Sequence, residues 1–508
     1  MKSQVVLYFK RSLIIVFSIL LIAGCSNQGT SGEGIKETDP DQELDVRVVH
    51  KFLGNGNESL VEDSKIVSFL EDKFNMDFDF VNVPSPIGSE VFEKLNAMIA
   101  AGDIPDILQT STNTDLARDL YYDLAAEDQL LNISKMIEEN PDRYPNIASR
   151  IKDPEADMFK AEDGNFYTVP RLQGYYDHII IIRQDWLDEL GLEMPTNTEE
   201  LHDVLKEFVE EDPDDKGNFG LTVPAPWWFN HIFAGFTGGW EWVEKDGEYV
   251  STYTEPGMKE AFKYLHSLYE EGLLDKEFFT HKPNKDELSK FINGRAGVLL
   301  TQSRNLPSIQ KDIVKINPEA EVGLLPIDFS GPEAAARVSA GKFYEGVSIY
   351  KHAEDPARML DFIEYLASNE ASEMFTNGIE GEYSEETFEH EKWGVDPYPS
   401  VHRAIWGMVD MKYNDSEAYL KQYTDPEQMK TFFNQLDSAD FAQNPVWGYG
   451  LESIQAHNAD VLEVFNKYLV NFITGKADID QEWDTYTKEL EKAGLLKMQE
   501  EVQEEFTP

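Results

Sequence analysis

The stretch Met98-Ile99-Ala100-Ala101-Gly102-Asp103-Ile104-Pro105-Asp106-Ile107-Leu108 joins the end of a helix to the body of a strand. Upstream, Val91, Phe92, Leu95, Met98 and Ile99 recur at helical spacing over Ser89 to Ala101, and Gly102 stands where a left-handed cap would stop the helix. Asp103 to Leu108 then reads as a strand, and Gln109 to Asn113 as a polar loop before the next helix. In an open parallel sheet the loop beyond a strand's C-terminal end faces the ligand crevice, which makes Thr110, Thr112 and Asn113 candidate ligand contacts. Further outward, Val46 to Phe52 is a strand, Lys65 to Phe74 places Ile66, Phe69, Leu70 and Phe74 on one helical face, and Phe78 to Val83 is a strand again. That is a βαβ unit. The alternation continues along the chain and predicts an α/β protein.

The N-terminal segment carries a different message. Lys2, Lys10 and Arg11 precede an apolar run from Ser12 to Ile22, shorter than the roughly 20 residues that span a bilayer, and Cys25 follows directly. A thiol at that point can be lipidated, so residues 1–24 are expected to be a lipoprotein signal peptide and Cys25 the diacylated first residue; an ordinary signal with an incidental cysteine is the alternative. Residues 25–43 are poor in apolar side chains and read as a flexible tether. The net charge of −51 is spread in short acidic runs with no basic stripe, which excludes nucleic acid as a partner and fits a solvated surface.

The opening stretch resembles the "A-G-D-x-P-D-I" signature of extracellular solute-binding proteins of carbohydrate ABC importers. Collinear segments agree with it: Phe166 to Pro170, Ile180 to Leu192 around Arg183, Asp185 and Trp186, Tyr269 to Asp275, Phe291 to Leu299, Gly378 to Gly381 and Phe472 to Asp480. The resemblance covers nearly all of the chain past the tether. It implies a two-lobed, periplasmic-binding-protein-like (type II) α/β fold, each lobe a mostly parallel sheet flanked by helices. Lobe one would be residues 44–171 and 344–383, and lobe two 172–343 and 384–508, hinged near Val169-Pro170-Arg171, where proline restricts the backbone. It also implies the function: a monomeric lipoprotein that captures an oligosaccharide and hands it unchanged to the transmembrane subunits of an ABC permease. Its place would be the outer face of the cell membrane, held by lipid alone.

Such a site needs flat aromatics for the C–H faces of a sugar and planar polar groups for its hydroxyls. Trp227-Trp228-Phe229 and Trp240-Glu241-Trp242 crowd among glycines, and Pro445-Val446-Trp447-Gly448-Tyr449 repeats the theme. Any one tryptophan is as readily a core residue; as a set, Trp228, Trp240, Trp242, Trp447 and Tyr449 are stacking candidates. Arg171, Tyr175 and Tyr176 near the hinge, Arg304 beyond the strand Val298 to Leu300, and Glu380 complete the polar candidates. For each arginine a surface ion pair is the competing reading, and for Glu380 capping or hinge packing.

Two other chemistries are open. Asp212-Pro-Asp214-Asp215-Lys216-Gly217-Asn218 occupies the place of a calcium loop found in some family members, but Lys216 stands where an oxygen donor belongs and a plain acidic turn is the better reading. No cofactor is otherwise expected. No metalloprotease, nucleophile-elbow or phosphate-loop motif is present, so the chain is not expected to be an enzyme. The rival is a lipid-anchored glycoside hydrolase with a carboxylate pair, since so acidic a chain has carboxylates to spare. A lipid-anchored chaperone or adhesion module is a third class, which would not need hinge or aromatic clusters.

Overall fold

A computed structural model of the chain describes residues 38–49, 65–81, 95–111, 115–171, 178–283, 285–334, 338–339, 345–371, 374, 420, 423–438, 442–444, 446 and 451–506. Strands in chain order are β1 (Leu44–Val49), β2 (Met76–Val81), β3 (Ile107–Ser111), β4 (Val169–Pro170), β5 (His178–Arg183), β6 (Leu221–Thr222), β7 (Trp242–Lys245), β8 (Glu248–Ser251), β9 (Val298–Gln302), β10 (Val322–Leu324), β11 (Val338–Ser339), β12 (Glu345–Ile349) and β13 (Ala442–Gln443). They form a five-stranded sheet ordered β2-β1-β3-β12-β4, a four-stranded sheet ordered β10-β5-β9-β6, and the two-stranded pairs β11-β13 and β7-β8.

The first sheet begins as the βαβ reading predicts. Helix Lys65–Phe74 connects β1 to β2, and β1 is parallel to both β2 and β3. The strand after Gly102 is shifted from its expected span: Gln109, Thr110 and Ser111 belong to β3 rather than to a loop, because β12 pairs along them from Glu345↔Ser111 to Ile349↔Ile107. That pairing is antiparallel, as is β12 with β4. The second sheet is also mixed, with β5 antiparallel to β10 and β9, and only β6 parallel to β9. Both sheets are therefore mixed rather than mostly parallel, with parallel pairing in β2-β1-β3, between β6 and β9, and in the β11-β13 pair. A chain that leaves one sheet and returns from another does not have to make the helical crossover that parallel neighbours require.

Each sheet has its own core. Val46, Val48, Ile107, Val169, Val347 and Ile349 pack with helix Pro356–Leu366 in one cluster. In β5, sequence HIIIIR, successive side chains point to opposite faces: Ile180 and Ile182 enter a large cluster with the C-terminal helices, while Ile179 and Ile181 enter a smaller one with Leu306, Ile309 and Phe432. Burial on both faces is why this strand reads as a continuous apolar run. No helix among the described residues is long and apolar enough to cross a membrane.

A polar brace closes the second sheet beside β6. Asp275, buried, accepts from Thr222 Oγ1 at 2.9 Å and from Lys290 Nζ at 2.8 Å, and His281 Nε2 lies 3.0 Å from it. Burial pushes the Asp275 carboxyl up, but the hydrogen bonds from His281 and Lys290 outweigh it and hold the group at about 2. A depressed carboxylate contributes stability above its unfolded value of roughly 3.9 and loses it as the pH falls toward the folded value. Asp275→Asn should therefore cost roughly 2 kcal/mol at neutral pH. Urea melts should show that difference closing between about pH 4 and about pH 2; an undiminished gap at low pH would contradict the assignment.

Candidate functional site

The aromatic cluster is built by the chain between Pro224 and Tyr253. A 3-10 turn, Pro226–Phe229, runs into helix Asn230–Thr237, which ends at Gly238 with φ 85°. Thr237 Oγ1 donates to Gly239 O and fixes the exit. Trp240, Glu241 and Trp242 follow, and β7 and β8 then form a hairpin whose two loop residues, Asp246 and Gly247, both have positive φ, as a tight two-residue hairpin requires.

The tryptophans part company here. Trp228 and Trp242 are each 3% exposed and belong to the core, whereas Trp240 is half-buried at its edge. Its ring lies on Phe233 at 5.7 Å and 12°, with Tyr253 and Phe465 edge-on at 5.8 Å each. Offset stacks and edge contacts of this kind fix ring orientation as well as burying area. Trp227, not among the candidates, is 45% exposed and leans on Trp228 at 5.2 Å.

A polar group adjoins Trp240 in the chain. The Glu241 carboxylate accepts from Tyr253 Oη at 3.2 Å and from Asn444 Nδ2 at 2.8 Å. Burial pushes this carboxyl above its ordinary range, while the hydrogen bonds from Tyr253 and Asn444 pull it back. Glu241 sits at φ 61° with Trp242 N donating to Trp240 O at 2.7 Å, the hydrogen bond of a γ-turn with positive central φ. Such backbone costs on the order of 1–3 kcal/mol and persists only where surrounding contacts impose it. Asn444 Oδ1 also accepts from Val446 N at 3.0 Å, and Val446 is buried in the same core as Trp228. Two buried acceptors, Asn230 Oδ1 and Gln302 Oε1, have no partner among the described residues. Glu241 and Asn444 escape a reading of the sequence; only Glu241 carries a signal, its place between two tryptophans.

The remaining candidates fall in three groups. Thr110 is buried in β3 with its Oγ1 2.6 Å from that of Thr168. Arg171 is buried and donates to Glu345 Oε2 at 2.6 Å, so its guanidinium is an internal ion-pair partner. Arg304 follows β9 in a short 3-10 turn, Ser303–Asn305, and the position of its side chain lies outside the description. Cys25, Thr112, Asn113, Tyr175, Tyr176, Glu380, Trp447 and Tyr449 lie outside the described residues.

In the acidic turn, Asp212 accepts from Gly217 N at 2.7 Å and from Asn218 Nδ2 at 2.9 Å. Asp214 accepts from Arg183 Nη1 at 2.8 Å and from Asn317 Nδ2 at 3.2 Å. Arg183 is itself fully buried, also bonded to Asp185, and lies over the Trp186 ring. These residues do not fit a calcium ion: a fixed guanidinium already neutralises Asp214, and backbone donors occupy Asp212. Among the described residues no three His, Cys, Asp or Glu converge as metal ligands.

The bacterial extracellular solute-binding protein family profile matches residues 65–373, more than half of the chain, and a second profile, described as a domain of unknown function, matches residues 448–507. Over 98% of both chains it is 24% identical to the polygalacturonan/rhamnogalacturonan-binding protein YtcQ of Bacillus subtilis. It is also 24% identical over 96% of both chains to the fructooligosaccharide ABC transporter substrate-binding protein FusA of Streptococcus pneumoniae. Among solved structures, the alginate-binding protein AlgQ2 without calcium ion superposes with a TM-score of 0.68 at 21% identity, covering 91% of this chain and 98% of that one. FusA in complex with kestose superposes with a TM-score of 0.64, again at 21% identity, with the same coverage. These solved structures share the fold.

The acidic turn generates a metal test. Calcium at about 5 mM, above the dissociation constants of extracellular calcium modules, and EDTA should give melting temperatures within about 1 °C of each other. A calcium-dependent rise of several degrees would show that the turn binds the ion.

Proposed function

The chain belongs to the bacterial extracellular solute-binding protein family, and from that premise we propose that it is the receptor of an ABC importer that binds an oligosaccharide, releases it unchanged to a membrane permease, and is not an enzyme. The observation that carries this reading is the half-buried Trp240 ring, backed by Phe233, Tyr253 and Phe465 and rimmed by Glu241 and Asn444. A flat apolar plate beside hydrogen-bonding groups complements a sugar's C–H face and hydroxyls. The ligands in the names of YtcQ, FusA and AlgQ2, polygalacturonan/rhamnogalacturonan, a fructooligosaccharide and alginate, support a saccharide here.

The division into lobe one, residues 44–171 and 344–383, and lobe two, residues 172–343 and 384–508, is part of the proposal. In its favour, β1 to β4 and β12 make one sheet while β5, β6, β9 and β10 make another, each with its own core. Saccharide binding between the lobes stabilises the closed form through its greater affinity for that form. Trp447 and Tyr449, which follow Val446 in the sequence, remain proposed stacking contacts. Thr112, Asn113, Tyr175, Tyr176, Arg304 and Glu380 remain proposed polar contacts. Anchoring through a diacylated Cys25 to the outer face of the membrane is proposed too, supported by similarity to the lipoprotein LipO of Bacillus subtilis, 24% identical over 73% of both chains.

Titration with a panel of neutral oligosaccharides and oligouronides should quench tryptophan fluorescence with at least one member and return it intact by chromatography; cleavage products would instead support a hydrolase. Trp240→Ala should weaken that binding by about 1 kcal/mol or more, and unchanged affinity would remove Trp240 from the site. Independently, Cys25→Ser should move the protein from the membrane fraction to the medium with saccharide affinity intact. Continued membrane retention would refute the lipid anchor.

A further inference from the structure

We propose that Glu241 is a positioning residue for the saccharide platform, one that aims the Trp240 indole and ties it to the crossover between the two sheets. The proposal rests on the stacking role given to Trp240 above. Its starting point is a conformation with no local excuse. Every other described residue with positive φ is Gly, Asn or Asp, types that enter this region readily. Glutamate has no comparable short side chain to bond its own backbone. The turn is therefore imposed, by Thr252 N donating to Glu241 O at 2.8 Å and by Tyr253 and Asn444 on the carboxylate.

What the imposed turn achieves is geometric. A γ-turn reverses the chain between two adjacent indoles, sending Trp242 into the core and leaving Trp240 half-buried, 12° from parallel to Phe233. An extended residue at this position would not hold both rings where they are. Strain at such a residue is usually retained because the site needs the geometry.

The carboxylate gives the turn a second connection. Asn444 directly follows β13, which pairs with β11 through Val338↔Ala442 and Ser339↔Gln443. β11 lies on the chain that runs from β10 in the second sheet to β12 in the first. A shift of this crossover thus reaches Glu241 through one strand pair and one hydrogen bond, and reaches the indole through the turn. Both connections are contiguous physical contacts, the kind that carry coupling between a site and a hinge.

A double-mutant cycle on the full chain tests this, using a panel saccharide that the wild type binds. Glu241→Gly, which adopts positive φ freely but lacks the carboxylate, should weaken affinity about tenfold in the wild-type background and less than about twofold in Trp240→Ala, because the two residues act through one ring. Glu241→Gln, which keeps size and hydrogen-bonding capacity, serves as the second variant and should show the same non-additivity with a smaller loss. Wild-type affinity in both Glu241 variants, or losses that simply add to that of Trp240→Ala, would overturn the proposal while leaving the saccharide reading in place. A wild-type protein that binds no saccharide, or a Trp240→Ala variant of unchanged affinity, would overturn both.

Discussion

The ion pair between Arg171 and Glu345 fixes where the chain passes from one sheet to the other. Both side chains are buried, at 5% and 2% exposure, and the Arg171 amide also donates to the Glu345 carbonyl at 2.8 Å. Arg171 is the last described residue before the chain enters β5, and Glu345 opens β12 on its return from the second sheet. The pair therefore holds the outgoing and incoming strands side by side at the boundary. A buried ion pair adds little net stability, yet losing one partner strands a charge at a cost of about 3–5 kcal/mol, so its contribution is register. Around it the packing is tight: a Cβ on Gly346 would meet Thr168 Oγ1 at 2.5 Å and Thr110 Oγ1 at 3.2 Å. Three strand ends, β3, β4 and β12, are locked to one another there.

With that boundary fixed, the aromatic platform depends on the C-terminal helices. Helix Glu452–Ile473 supplies Phe465, which touches Trp240, Tyr253 and Phe262. Tyr486 donates to the Tyr253 carbonyl at 3.0 Å from helix Ile479–Ala493. Gln503 and Gln499, on helix Leu495–Phe506, accept from the Tyr249 and Ser251 amides of β8, so the free edge of the hairpin is satisfied by side chains. These three helices lie within residues 448–507, matched to a domain of unknown function. In this chain they contact the residues that hold the Trp240 turn: Phe465 touches Trp240 and Tyr253, Tyr486 bonds the Tyr253 carbonyl, and Gln499 and Gln503 bond the edge of β8.

Long periodic elements were legible in the sequence, and their contacts were not. Helix Lys65–Phe74 follows from residue spacing alone, and the segment from Ile180 is reached through family resemblance; its burial on both faces explains the continuous apolar run of His178–Arg183. The span Gln109 to Ser111 read as loop because its residues are polar, yet pairing with β12, more than 200 residues away, makes it strand. Arg171 and Asp214 show the same limit. Each carries chemistry that fits a ligand or a metal, and each pairs with a residue, Glu345 or Arg183, that no local motif announces. Trp240, Trp228 and Trp242 look alike in sequence; only tertiary packing leaves the first at the edge of the core and buries the others.

The rigidity of that platform bears on how a clamp of this kind would work. An indole stacked on Phe233 and edged by Tyr253 and Phe465 has its orientation fixed before any ligand arrives, so little side-chain entropy remains to be lost on binding. The affinity a saccharide gains from such a plate would then be nearly the same in open and closed forms, and equal affinity shifts no equilibrium. In the proposed clamp, closure would have to draw on groups that meet the ligand only when the lobes approach. Under that proposal they would belong on the opposite lobe or on the crossover, and the polar candidates Tyr175 and Tyr176 follow Arg171 in sequence. Platform and trigger would thus be separate tasks, and one described chain of contacts that joins them runs from Trp240 through Glu241 and Asn444 to the β11-β13 pair.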